Sequence, residues 1–203
     1  MAAETKHTNA RTTWNEGWGR TILIGTVAGL VAAIVMGMFA MFAAATYQGT
    51  GFFTPLYHIA SPLAGGDPMM TSMDAAAGSN SFTFDAGPAF LGLTIHVISG
   101  AFWGAVFFAL ARATGLRGAA PLVAAGIALG LAIMLFMSWV TLPLTAAIVG
   151  GGRPIEEMPS VVGWGTFSVE HAIFGLVLGV WAAARGSTLA RGEAQRHEPR
   201  LAA

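Results

Sequence analysis

Long uncharged runs separated by short charged clusters dominate this chain. Thr21 to Gly66 holds no Asp, Glu, Lys or Arg, and neither do Ala86 to Ala111 or Gly118 to Gly152. A fourth run, Met158 to Ala184, is interrupted only by Glu170 beside His171. A helix needs about 20 apolar residues to cross about 30 Å of hydrocarbon, so each run can span a bilayer once. The pattern predicts an all-α polytopic membrane protein with four transmembrane helices, at about 21–46, 88–111, 119–144 and 159–184.

The connections complete the layout. Residues 1–20 read as an interfacial segment, with Trp14 and Trp18 among Arg11 and Arg20. A four-helix bundle occupies 21–185, and residues 186–203 read as a polar, disordered tail. Between the first two spans, residues 47–87 form a long outer loop rich in Gly, Ser, Pro and Met. A loop of that length is ordered only when it folds over something or binds something. Ala43-Ala44-Ala45 has the small residues of a signal-peptide cleavage site. The apolar run before it, Thr21 to Phe42, exceeds the roughly 7–15 residues of a signal core, so the first span is expected to be retained.

Lysine and arginine set the expected orientation. Lys6, Arg11 and Arg20 precede the first span, Arg112 and Arg117 lie between the second and third, and Arg185, Arg191, Arg196 and Arg200 follow the fourth. Arg153 alone occupies the other two connections. Both termini are therefore predicted to be cytoplasmic.

The spans also repeat. His96 is followed by Gly100 and Gly104 in the second span, and His171 by Gly175 and Gly179 in the fourth. Gly25, Gly29 and Met36 of the first span match Gly126, Gly130 and Met137 of the third. This pattern predicts two tandem two-helix repeats of the same orientation, related by an axis along the membrane normal. His58 has no counterpart. Small residues four apart let membrane helices approach closely, so the four Gly-x-x-x-Gly pairs predict a tightly packed bundle.

Residues at i, i+4 and i+8 share a helix face, which puts His96 and His171 on the glycine faces and turns them into the bundle. Met36 and Met137 return to those faces eleven residues after Gly25 and Gly126. Counted from the cytoplasmic arginines at about 1.5 Å per residue, Met36, His96 and His171 lie roughly 21–24 Å up and Met137 about one turn higher. Ionisable groups in a membrane are costly and tend to face the interior with a partner. His96, His171, Met36, Met137 and Glu170 are thus candidate cofactor-binding residues. Two facing imidazoles could ligate haem b, and two imidazoles with two thioethers, supported by His58, would suit copper as Cu(I). Met69, Met70 and Met73 of the outer loop add soft sulfur. A purely structural role competes with both. There the histidines bond to Glu170, Ser138, Thr141 or each other, and the methionines fill space.

Composition narrows the classes. At 55% hydrophobic and 10% charged, the chain has the balance of a small polytopic protein, and its zero formal net charge gives no basis for a nucleic-acid partner. Without cysteine it has no disulfide, thiolate metal site, Fe–S ligand or c-type haem attachment. Phosphate-loop, H-E-x-x-H and G-x-S-x-G motifs are absent. The inner halves of the spans carry no ionisable relay, so any redox role is expected on the outer side.

His96 in the second span and the run Ser138-Trp-Val-Thr-Leu-Pro143-Leu144 in the third resemble the YagU-like proteins of the bacterial inner membrane, which are similar in length and have four spans. That resemblance implies a bacterial inner-membrane setting and carries no catalytic residue with it. The function expected is that of an integral membrane binding or accessory protein among lipids, as a homo-oligomer or a subunit of a larger membrane complex, and not an enzyme. The rivals are a haem- or copper-binding protein for redox or metal handling, and a lipid- or quinone-directed enzyme with Glu170-His171 as proton donor and acceptor.

Overall fold

A computed structural model describes residues 17–149 and 153–197. Every regular element among them is helical: α1 (Trp18–Ala45), α2 (Thr54–Ala64), α3 (Asp67–Ala77), α4 (Ala86–Ala113), α5 (Ala119–Phe136), a π-helical turn (Met137–Thr141), α6 (Leu142–Val149), α7 (Arg153–Glu156), α8 (Met158–Val162) and α9 (Trp164–His197). Four segments are long and apolar enough to cross a membrane, namely Trp18–Ala45, Ala86–Ala113, Ala119–Val149 and Trp164–Arg185.

These helices are joined in pairs through glycine. A methyl group added to Gly25 would sit 2.7 Å from the Gly104 carbonyl oxygen, and one on Gly104 would sit 2.5 Å from the Gly29 Cα. Gly29 meets the Gly100 carbonyl, so α1 and α4 touch backbone to backbone. α5 and α9 do the same. A methyl on Gly175 would lie 2.9 Å from the Ile127 Cα, and one on Gly179 would lie 2.6 Å from the Val123 Cα. Gly130 faces the His171 carbonyl, whereas its counterpart Gly29 faces Gly100, so the second pair is slid by one helical turn along its axis. Lipid supplies no hydrophobic drive between helices, so close van der Waals approach holds each pair. α1 packs along α9 and unites the two pairs around Ala28, Ala32, Phe174 and Leu178, all buried. At the other end of α1, the Arg112 guanidinium donates to Thr21 Oγ1 at 2.8 Å and covers the Trp18 ring at 4.7 Å.

Three features depart from the expected layout. The outer loop folds as helices α2 and α3, both begun with proline in their first turn and both following glycine or aromatic punctuation. The fourth span does not begin at 159. Pro159 lies in the first turn of the separate helix α8, and Gly163 at φ 87° turns the chain before α9 starts at Trp164. The polar tail expected from 186 is helical through His197, where Leu, Ala, Arg, Glu and Gln are strong helix formers. Residues 198–203 and the first sixteen residues of the N-terminal segment lie outside the described residues.

The third span also departs, running past the expected 144 to Val149 and changing register at the π-turn. Leu142 N–H bonds to the Met137 carbonyl, five residues back. Pro143 follows immediately, has no N–H to offer and crowds the carbonyl four residues before it. One wider turn relieves that conflict.

The glycine contacts generate a sharp expectation. Gly104→Ala and Gly175→Ala each force two backbones apart and should cost about 1–3 kcal/mol, the usual range for overpacking. Gly165→Ala, where an added methyl meets nothing within 4 Å, should be neutral. Thermal unfolding in detergent micelles measures the difference; equal midpoints for all three variants would contradict backbone contact.

Candidate functional site

The glycine stripes stop short of the end of the spans that meets α2, and other side chains continue on the same faces. α1 presents Met36 and Gly37, α4 presents His96, and α9 presents Glu170 and His171. The π-turn contributes Met137 and Thr141. These groups line one cavity of about 470 Å³. The four expected residues Met36, Met137, His96 and His171 are therefore brought together, with Glu170 beside them. Met137 shares their cavity despite the extra turn counted for it from Arg117.

Helix α2 forms the outer wall, and His58 enters the same cavity from it. Gly92 makes this possible, because it meets the backbone of Leu56 so closely that α2 rests directly on α4. Tyr57, 1% exposed, pins the helix. Its hydroxyl donates to the Thr83 carbonyl at 3.1 Å and accepts from Asp85 N–H at 2.8 Å. Thr54 Oγ1 donates to the Thr50 carbonyl at 2.6 Å and lies 2.8 Å from Ser72 Oγ, which ties α2 to α3. Gln48 Nε2 donates to the Val162 carbonyl at 2.5 Å, so the loop before α2 also holds α8. Met69 is buried in the cluster around Leu56 and Tyr57, and Met73 packs against it. Met70 is half-exposed. None of the three lines the cavity.

Both deep histidines bond to backbone. His96 Nε2 lies 2.9 Å from the Ala33 carbonyl oxygen, and Gly37 leaves room for the ring, since a methyl there would come within 3.2 Å of Nε2. His171 Nδ1 lies 2.9 Å from the Phe167 carbonyl, one turn back in its own helix, and the ring meets Phe167 edge-on at 4.5 Å. Neither bonds to Glu170, Ser138, Thr141 or the other histidine. Ser138 Oγ instead donates to the Met134 carbonyl at 2.8 Å. Glu170 is 6% exposed and makes no hydrogen bond among the described residues.

This arrangement bears on the cofactors. An imidazole anchored by a backbone carbonyl presents its other nitrogen in a fixed direction, as metal-ligating histidines do. His171 offers Nε2 in this way, and His96 offers Nδ1. Ligation of haem through both Nε2 atoms would require His96 to give up its bond to Ala33. No group of three His, Asp or Glu side chains among the described residues gathers closely enough to hold a metal ion. A copper site would therefore depend on the thioethers of Met36 and Met137.

Gly37, Gly92 and Thr141 carry no signal of their role in the sequence. The first two are single glycines in glycine-rich helices and stand outside any Gly-x-x-x-Gly pair used for packing. Pro143 was the available signal for a register change at Thr141. Searches with this chain match no family model, no curated protein and no solved structure.

His58 lies outside the four spans, and burial pushes its pKa down to about 4. Its unfolded value is near 6.5. The unfolded chain therefore takes up the proton first. Stability should be unaffected by His58 above about pH 6.5 and should fall as pH drops from there toward 4, by at most about 1.4 kcal/mol per pH unit. Thermal unfolding between pH 7.5 and 5 should show a smaller decline for His58→Leu than for the wild-type chain. Parallel declines would contradict a buried, neutral His58.

Proposed function

We propose that this is an integral membrane binding protein whose outer-side cavity holds a small lipophilic ligand. The observation that carries the reading is the cavity itself. Its walls are mainly aliphatic, while Glu170 and three imidazoles reach it from α2, α4 and α9. A pocket of this size with few convergent polar groups is the usual form of a small-molecule site. Costly intramembrane ionisable groups also have a rationale there, since a ligand can satisfy what the protein leaves open. The π-turn supports the same reading, because such turns favour functional sites and this one supplies two lining residues.

In this reading the two glycine-joined pairs are tandem repeats, with α2 and α3 added to the first. The arginine distribution supports cytoplasmic termini and a cavity toward the outer face of the membrane, which in this reading is a bacterial inner membrane. The protein acts by binding, alone or as an accessory subunit of a larger membrane complex. Copper is the second reading, favoured by the carbonyl-anchored His171 beside Met36 and Met137.

Native mass spectrometry after gentle purification tests the binding reading. Wild-type protein should retain a small lipophilic molecule, and Thr141→Trp, which fills the cavity from the π-turn, should lose it while remaining folded. Retention of the same molecule by both would place it on the outer surface instead. A stoichiometric copper adduct without an organic molecule would favour the second reading.

A further inference from the structure

The polar end of the cavity has an excess of hydrogen-bond acceptors. A carbonyl oxygen can only accept, so the nitrogens at Ala33 and Phe167 must each carry a hydrogen and donate it. In the neutral rings this leaves His96 Nδ1 and His171 Nε2 as bare acceptors. Neither has a donor among the described residues. The Glu170 carboxyl adds two oxygens and at most one hydrogen.

These atoms are not sealed in. Among the described residues, the fully buried side-chain nitrogens and oxygens without a partner reduce to Thr83 Oγ1, which lies elsewhere. The open atoms of His96, Glu170 and His171 are therefore reached from the cavity that they line. Glu170 and His171 are otherwise withdrawn from the surface, each being 6% exposed, and His96 is half-buried. Potential donors of the protein do not match them, since the neutral His58 ring that also lines the cavity brings one N–H and one bare nitrogen, which cancel. Gln48 Nε2 is anchored by one of its two hydrogens to the Val162 carbonyl, and Thr54 Oγ1 is engaged with Thr50. The Thr141 and Thr145 hydroxyls can act in either role.

Resting on the binding function proposed above, we infer that the ligand's buried head is a hydrogen-bond donor, and that its chemical class is a lipid-soluble hydroquinone. Its two phenolic hydroxyls donate to His171 Nε2 and His96 Nδ1. The aromatic ring lies among Met36 and Met137, whose thioethers favour contact with ring edges. Its apolar tail leaves past Leu63 and Val161, which line the cavity yet are 69% and 45% exposed. A quinone, which only accepts, would face acceptors with acceptors.

The test is a titration of the full chain in lipid nanodiscs under anaerobic conditions, read by isothermal calorimetry. The probes are a decyl-substituted hydroquinone, the matching quinone and the bis-methyl ether of the hydroquinone. The hydroquinone should bind about tenfold or more tighter than the ether, because each lost donor leaves a buried acceptor unmet. His96→Phe and His171→Phe should each narrow the affinity ratio of hydroquinone to ether toward one. If a variant fails to fold, the wild-type affinity ratio of hydroquinone to ether tests the donor assignment by itself. Equal affinity for hydroquinone and ether, or a quinone that binds as tightly as the hydroquinone, would overturn the donor assignment while leaving a lipophilic cavity in place. Binding of none of the three would overturn the hydroquinone class, and retention of a different molecule in native mass spectra would then sustain the cavity reading by itself.

Discussion

Backbone contact at glycine is the constraint on which the rest of this structure depends. Between helices in hydrocarbon, association comes from packing and from polar contacts, since exchanging lipid for helix gains little apolar burial. Gly126, Gly130, Gly175 and Gly179 meet backbone alone at one seam, and at the other Gly25, Gly29, Gly100 and Gly104 meet backbone with only the side chains of Ala33, Phe108 and Phe174 nearby. Each pair can then close until carbonyls meet Cα atoms. The seam also fixes rotation, because only one face of each helix is bare. Whatever stands farther along that face must point inward.

That consequence produces the cavity. One turn beyond Gly100 and Gly175, the bare face carries His96 and His171, and the first glycine helix of each pair continues to Met36 or Met137. The α5–α9 seam stays closed as far as the His171 carbonyl, which meets Gly130, and space opens beyond it among the two imidazoles, Met36 and Met137. The π-turn opens the third span further, and α2 covers the gap by lying on Gly92. Helix α2 is held by Tyr57, Thr54 and, through the preceding loop, Gln48, in bonds to backbone or to a single hydroxyl. Close packing below and an open, polar-ended space above thus come from one sequence pattern.

Much of this was legible in the chain. The uncharged runs located four spans to within a few residues, apart from the end of the third and the start of the last. The i, i+4, i+8 spacing of histidine and glycine brought His96 and His171 to the interior, and the eleven-residue spacing brought in Met36 and Met137. Other features were hidden for physical reasons. Histidine partners depend on which carbonyl lies one ring's reach away, and Ala33 is supplied by a different helix. The helices of the outer loop are only 11 residues each and stand by packing, α2 on α4 and α3 on α2, so periodicity over so short a run could not find them. Gly92 and Gly37 owe their importance to what lies opposite, which no local pattern encodes. The helix beyond Arg185 follows ordinary propensity that polar composition had obscured.

The central claim is that the two halves converge on one shared cavity, and the absence of cysteine makes it directly measurable. A chain carrying Met36→Cys and Met137→Cys has one thiol from each half, and a short bifunctional thiol reagent can join them only across that space. Cross-linking within a single chain, resolved by mass spectrometry of the digested protein, should be efficient for this pair. It should be negligible when the second thiol is placed at Ile98 instead, 63% exposed on the outside of α4. Full modification of both thiols at positions 36 and 137 with no intramolecular link would contradict the shared cavity.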